Sequence, residues 1–498
     1  MTGVIALSLI GVMCSIGVIL RRWVPLFRNY LVPATVIAGV LGVIVMNLGL
    51  GKLFDGVDAK FFGSVTTELF TLTFISIGLT AAPKSADAPG EPDTPTGWRR
   101  FIPQSTLLRG AWIMGITWSV LFAVQELLGV GVISLLGSAF DMPAEYGLMA
   151  AFAFAQGPGQ AATFGGIFVD QGWEDAVSVG LTFSTLGFLA AFIVGVPLAK
   201  RGMTRGLARN SSEIKDTTKR GVYTKEEQRE SMGRVTTFSG SIESLGLAMS
   251  VVGVCYLGAM GIAELFSLIP GFIGTTMSGM MFMNGLFAAY IIRWILGRLG
   301  AAHIINPELQ RKITGLFSDF TVVAAFMAVE FAVVMDWIVP ILVLAVIVSV
   351  VTLGICIFLG QRYGSDHDFE RTLGMYGTGI GTTPTGLALV RIVDPKLRTP
   401  TAAEMGLMNL PEMLYLPVMF TVSAIFASDL GLTTGLLIFC ACLLAYIVLA
   451  FFAGNFRRPT FHLFGKHHER GRTGSSAETS RLEGELVNHS PTTVREDH

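Results

Sequence analysis

Apolar runs of helix-spanning length recur along the chain, separated by short polar segments. They cover about 4–20, 31–50, 66–82, 107–137, 176–199, 241–266, 270–292, 314–335, 338–360, 404–427 and 431–453. A helix needs about 20 apolar residues to cross the hydrocarbon core of a bilayer, so each run predicts one spanning helix. None alternates apolar and polar over about ten residues, as a membrane barrel strand would. The first run begins without a basic segment and reads as a span rather than a cleaved signal. Two further stretches, 147–168 and 372–395, are apolar but interrupted by Gly, Thr and Gln. They predict re-entrant segments that enter and leave on one side.

Charge supports this count. With the N-terminus outside, the inner loops hold Arg21, Arg22, Arg28, Lys84, Arg99 and Arg100, and the loop 200–240 alone carries ten Lys or Arg. The outer loops hold only Lys52 and Lys60. Basic residues gather on the cytoplasmic side, which fixes the orientation and puts the C-terminus inside. One missed span would scramble the pattern downstream.

Composition agrees. The chain has 498 residues, 52% of them hydrophobic and only 14% charged, with a mean hydropathy of +0.61. A soluble protein carries about 25% charged residues. The fold class is therefore an all-α polytopic membrane protein. Cys14, Cys255, Cys356, Cys440 and Cys442 lie inside apolar runs and read as small core residues. No histidine falls in a span, which favours Na⁺ over a histidine proton relay, and no Walker motif supports ATP drive. No cofactor, enzymatic activity or nucleic-acid partner is expected.

The chain repeats itself. Pro33, Gly42, Met46 and Asn47 match Pro270, Gly279, Met283 and Asn284 at a constant offset, and 70-FTLTF-74 matches 320-FTVVA-324. Gly157, Gly159 and Thr163 match Gly379, Gly381 and Thr385 in the same order. Residues 1–199 form a first half and 241–427 a second, joined by a cytoplasmic linker at 200–240. Each half holds five spans and one re-entrant segment. An odd number of spans inverts the halves in the membrane. An extra span at 428–453 and a disordered cytoplasmic tail at 454–498 follow. Inverted repeats with one broken segment each are the mark of a secondary transporter, whose site lies at the midplane.

The broken segments, 155-AQGPGQAATFGG-166 and 377-GTGIGTTPTGLAL-389, carry the candidate chemistry. Non-helical backbone at membrane depth persists only where protein or a water-filled cavity satisfies it. N–H groups at a half-helix start attract anions, while carbonyls and hydroxyls suit a hard cation such as Na⁺. The expected substrate-binding residues are Gln156, Gly157, Gly159, Gln160, Thr163, Gly379, Gly381, Thr382, Thr383, Thr385 and Arg391. Thr378, Thr383, Asp319 and Asn409 are the expected Na⁺ ligands. The alternative for the loops is close helix packing. Arg391 either pairs with a substrate carboxylate or snorkels to the inner interface. Asp319 either holds a cation or caps a helix. Glu330 and Glu404 suit helix-end or interface roles at least as well, whereas Glu412, after Pro411 inside a span, fits no bland role easily.

The block 157-GPGQAATFGGIFVDQGWEDAVSVGLTFSTLGFLAAFIVGVPLA-199 resembles the first re-entrant loop and following span of the bacterial glutamate:sodium symporters. The stretch 379-GIGTTPTGLAL-389 resembles their second loop, and 67-TELFTLTFISIGLTAA-82 their third span. The resemblance covers roughly residues 5–425. It implies a fold shared with 2-hydroxycarboxylate transporters, with a dimeric scaffold and a mobile transport domain that moves like an elevator. It further implies Na⁺-coupled uptake of an anion, glutamate foremost, across the bacterial inner membrane, as a homodimer. The extra span and the long basic inner loop depart from the compact members. Another carboxylate, such as a 2-hydroxycarboxylate or a sugar acid, is the rival substrate. An ion channel or a membrane sensor is the rival class.

Overall fold

In a computed structural model, residues 2–49, 57–80, 106–209, 236, 241–395, 397–409 and 411–463 are described. Most of the 200–240 linker, the inner loop at 81–105 that holds Lys84, Arg99 and Arg100, and the tail beyond 463 lie outside them. The described chain forms helices α1 (Thr2–Trp23), α2 (Pro25–Asn29), α3 (Ala34–Asn47), α4 (Ala59–Leu79), α5 (Thr106–Leu136), α6 (Ala150–Phe154), α7 (Pro158–Val169) and α8 (Ala176–Thr204). It continues with α9 (Ser244–Ser267), α10 (Phe272–Gly279), α11 (Met281–Arg298), α12 (Pro307–Met327), α13 (Phe331–Val334) and α14 (Ile338–Gly360). The remainder is α15 (Asp368–Gly379), α16 (Thr383–Val393), α17 (Thr401–Leu407), α18 (Leu416–Phe426) and α19 (Leu432–Ala453). Only helices among open structures satisfy every backbone group within hydrocarbon, which is why apolar runs of this length fold this way.

Among the described residues seven helices are long and apolar enough to cross a membrane, or nine if each bent pair is one span. The two other expected spans are α3, with 14 residues, and α12, whose first turns carry Glu308, Arg311 and Lys312. Four expected spans differ in detail. The run 270–292 bends by 65° between α10 and α11. There Asn284 donates its amide hydrogens to the carbonyls of Met277 and Ser278, which the break leaves without helix donors. The run 404–427 bends by 48° ahead of Pro411, which has no N–H to continue a helix. The run 66–82 begins earlier, at Ala59, because Asp58 caps α4 by accepting from the Phe61 N–H at 2.8 Å. The run 314–335 ends at Met327, where Asn47 on α3 receives the freed chain, donating to Val329 O and accepting from Phe331 N, each at 2.8 Å. Asn47 and Asn284, paired by the repeat, each hold a break.

The helices pack as two bundles. The first contains α1, α3, α4, α9, α10, α11 and α12. The C-terminal end of α4 meets the N-terminal end of α12 at Ser76, whose hydroxyl donates to Gln310 O at 3.0 Å and accepts from Gln310 Nε2 at 2.7 Å. The two helices therefore run antiparallel. Phe70, Phe74 and Phe282 form a ring cluster beside them. The second bundle contains α5, α6, α7, α8, α14 and α15 to α19. It is knit by stacked and edge-on rings, including Phe168–Phe426 at 3.9 Å and Phe122–Tyr415 at 5.0 Å. In lipid such contacts act through dispersion and hydrogen bonds rather than the hydrophobic effect. The helices between residues 2 and 79 and between 244 and 327 thus go to one bundle. Those between 106 and 204 and between 338 and 453, with both interrupted segments, go to the other.

Candidate functional site

Both interrupted segments are hairpins. In the first, a 3₁₀ turn at Ala144–Met149 and α6 lead to a turn at Ala155–Gly157, and α7 returns. Phe152 lies 4.2 Å from Phe164 across the two limbs. Gly157 caps α7 with φ +83°, a conformation that only glycine adopts readily, and Pro158 follows at the first helical position. In the second hairpin α15 leads to a turn at Ile380–Thr382, and α16 returns. The limbs lie so close that a Cβ on Gly377 would fall 2.6 Å from the Gly386 Cα. The Thr382 hydroxyl caps α16 by accepting from Thr385 N at 3.4 Å and lies 3.0 Å from the Thr385 hydroxyl.

The two turns touch. A Cβ on Gly157 would collide with the Thr382 methyl and lie 2.8 Å from Gly381 O. Two helix N-termini, of the 12-residue α7 and the 11-residue α16, therefore start from one place. Their dipoles, with the N–H groups of Gly159, Gln160 and Thr383, favour negative charge. The first limbs end at the same turns and bring carbonyl oxygens, which suit a cation. Neighbouring spans hold the turns. Gln125 on α5 donates to Gly379 O at 2.7 Å and to the Thr352 hydroxyl at 3.0 Å. On α8, a Cβ on Gly187 would lie 2.5 Å from Ile380 O. The Gln156 and Tyr415 side chains hydrogen-bond to each other.

Polar atoms without protein partners gather around this contact. Gln125 Oε1, Gln156 Oε1, Gln160 Oε1, Ser184 Oγ and Thr378 Oγ1 are buried and receive no hydrogen bond. Buried polar groups are normally satisfied, so such a group of them at one junction marks a place built for a ligand or ordered water. Two clefts, of about 350 and 280 Å³, lie on the first bundle, and neither is lined by a turn residue.

The predicted residues are distributed as follows. Gln156, Gly157, Gly159, Gln160, Gly379, Gly381, Thr382, Thr383 and Thr385 lie at or within a turn of the junction. Thr163 lies one turn further into α7 and donates to Gly159 O at 2.8 Å. Thr378 is buried beside Gly379, and Thr383, half-buried, opens α16. Arg391 is exposed in the last turn of α16, about 13 Å along the axis from Thr382. Asp319 lies on an exposed face of α12 near Cys14, and Asn409 is exposed in the break after α17. Among the described residues, no hydrogen bond or ion pair joins these last two to the turns.

Sequence reasoning missed several groups. Gln125 and Glu126 stand side by side in the apolar α5, both with no exposed surface. A carboxylate and an amide within a spanning run were the available signal. Also missed was a buried clamp at the foot of the second hairpin. Arg371 Nε donates to Glu404 Oε2 at 2.8 Å and Arg371 Nη2 pairs with Glu404 Oε1. Arg371 Nη1 reaches the Ser365 hydroxyl at 2.8 Å and Asp368 at 3.2 Å. On the adjoining loop, partial burial acts to raise the Asp366 carboxyl, but Arg209 at 2.7 Å outweighs it and leaves Asp366 below the usual carboxylate range.

No curated protein matches the chain significantly. A family model described as sodium/glutamate symporter matches residues 105–398, which include both hairpins and the spans that hold them. That match extends over more than half of the sequence, and the chain belongs to the sodium/glutamate symporter family.

Proposed function

We propose that this protein takes up glutamate with Na⁺ and that the junction of the two hairpin turns binds both. The observation that carries the reading is the contact of Gly157 with Gly381 and Thr382, which sets two helix N-termini at one point inside a spanning bundle. The N–H groups of Gly159, Gln160 and Thr383 hold substrate carboxylate. Thr378, Thr383 and the carbonyls at the ends of the first limbs hold Na⁺. The ion organises the broken backbone into the form that binds the anion, which couples the two.

The division into bundles supports elevator movement. All the hairpin residues lie in one bundle, with α5, α8 and α14 packed around them. That bundle carries the site past the other, which serves as the scaffold. Exposed apolar residues on the scaffold, such as Leu257 on α9 and Trp294 on α11, suit lipid and a second copy in a homodimer. The basic inner loops support an inner-membrane orientation with the N-terminus outside and the C-terminus in the cytoplasm.

The test is uptake of radiolabelled glutamate into proteoliposomes with and without an inward Na⁺ gradient. Saturable uptake that requires the gradient is expected. No uptake under either condition overturns the assignment of glutamate. Competition by unlabelled 2-hydroxycarboxylates or sugar acids that exceeds competition by glutamate would reassign the substrate.

A further inference from the structure

Glu126 has no exposed surface, and neither of its carboxylate oxygens has a hydrogen-bond partner. It lies inside α5, a helix of the bundle that carries the hairpins. Its neighbours on the same helical stripe show what it faces. One turn before it, Phe122 packs on Phe152 at 5.5 Å and on Tyr415 at 5.0 Å. One turn after it, Gly129 abuts the backbone of Gly147 and the methyl of Ala150. The helical stripe that carries Glu126 thus faces the first limb of the first hairpin, where Leu148, Ala151 and Phe152 are fully buried, and the 3₁₀ turn Pro411–Tyr415 beside it. That limb runs directly into the turn at Gly157. The preceding residue, Gln125, holds Gly379 of the second turn. Adjacent residues of one helix therefore address both hairpins.

An ionised carboxylate in such surroundings, with no cation or donor, costs several kcal/mol. A single proton removes that cost. A sodium ion would need several oxygen ligands, and this stretch of the limb presents Leu, Ala and Phe side chains. On α15, which also packs on α5, Tyr376 donates to Ala190 O, Asp368 pairs with Arg371, and Glu370 accepts from Arg209 N. Glu412 meets α5 at Gly115 and Ser119, about two turns away. Glu404 and Arg371 pair at Gly110. Tyr146 packs on Trp173 and Trp337 and accepts from Asp175 N, and Tyr446 donates to Leu414 O. Cys356, Cys440 and Cys442 lie on α14 and α19, and Glu145 on the 3₁₀ turn before α6. The nearest titratable neighbour that the contacts show is Tyr415, at Phe122.

We propose that Glu126 is a proton-carrying carboxyl, loaded outside and unloaded inside in each cycle, so that substrate entry moves H⁺ as well as Na⁺. The limb that covers Glu126 ends in the turn that binds substrate. Displacement of that turn admits to Glu126 the same water that delivers the substrate. Protonation converts the carboxylate and one proton to a carboxylic acid, and release to the inner water reverses it.

This rests on the symport reading, so its test needs two measurements. Proteoliposomes loaded with a pH-sensitive dye report H⁺ entry on addition of glutamate under a Na⁺ gradient. The wild type is expected to move about one proton per substrate. Glu126→Gln is expected to lose that proton movement, and the pH dependence of its remaining uptake, while Glu126→Asp retains both. Uptake without H⁺ entry in the wild type, or unchanged H⁺ entry in Glu126→Gln, overturns the proposal. Infrared difference spectra between about pH 6 and about pH 8 read the carboxyl itself, whatever the substrate. A carboxylic C=O band that titrates and is missing from Glu126→Gln is expected. A band that does not change with pH makes Glu126 a packing residue and overturns the proposal, even if the glutamate assignment fails.

Discussion

Gln125 Nε2 lies 2.7 Å from the carbonyl oxygen of Gly379, a bond from the middle of a spanning helix to the last residue of a hairpin limb. The same nitrogen donates to Thr352, so one side chain ties α5, α14 and the second hairpin together. Gln125→Leu leaves the Gly379 carbonyl without its donor, at a cost of about 1–3 kcal/mol. Because the hairpin end is then less constrained, Na⁺ should organise it less well. The expected result is a lower unfolding temperature and an apparent Na⁺ affinity reduced about five-fold or more. Na⁺ activation curves of uptake check it. An unchanged curve would mean that this bond serves packing alone.

Gly157→Ala tests the contact of the turns. Its φ of +83° lies in a region that costs an L-residue about 1–2 kcal/mol, and the new methyl would displace Thr382. A loss of about ten-fold in uptake is expected. Gly166→Ala is the control: it lies on the same helix with no neighbour within 4 Å of an added Cβ, and its uptake should remain near wild type.

Thr383 and Thr385 open α16 at the junction, and Thr382 caps it. Thr383→Ala and Thr385→Ala remove hydroxyls without altering the backbone. A raised Na⁺ requirement is expected from Thr383→Ala and a weaker substrate affinity from Thr385→Ala, with expression unaffected. If both variants keep Na⁺ dependence and substrate affinity, the hydroxyls are not ligands. Thr382→Ala should differ from both, because it removes the cap and destabilises the helix start by about 1 kcal/mol.

The legible part of the fold was what periodicity and charge control. Apolar length marked the spans, and Gly-Thr clusters in corresponding places marked both hairpins, because broken backbone at membrane depth needs those residues. The bends at Met280 and Pro411 were less visible. A proline or a small residue permits a break, but the partner that stabilises it, such as Asn284, acts through tertiary contact. The candidate residues at the junction of the turns were visible for the same reason as the hairpins. The residues that hold it were not. Gln125 and Glu126 lie within a run whose hydropathy they scarcely alter, and Arg371 finds Glu404 across a distance in sequence that no local pattern encodes.

Arg391 shows the limit of spacing arguments. It follows Thr385 by six residues in the sequence, yet a straight helix carries it to the far end of α16, where it is exposed. Arg391→Gln is therefore expected to change the apparent substrate affinity by less than about three-fold, within about 0.7 kcal/mol. A ten-fold weakening in competition assays would return Arg391 to the binding site.

The clamp at the foot of the second hairpin gives a contrasting pair. Arg371 and Glu404 are buried and bonded through two nitrogens. Glu404→Gln removes one of the guanidinium's two counter-charges and leaves Asp368 at 3.2 Å; breaking a buried pair costs up to about 3–5 kcal/mol, so a fall in unfolding temperature is expected. Arg209 and Asp366 form the exposed counterpart, with more than half of each side chain in solvent. Asp366 lies below its ordinary range, with Arg209 as the stabilising charge. Its contribution is present above the unfolded carboxylate value, about 3.9, and is lost as pH falls through the folded value. Asp366→Asn should therefore leave stability at neutral pH within about 1 kcal/mol of wild type. The small difference between the two should vanish in strong acid. Thermal unfolding of both variants across pH separates the clamp from the surface pair. An equal loss from Asp366→Asn and Glu404→Gln would show that burial does not set the strength of the clamp.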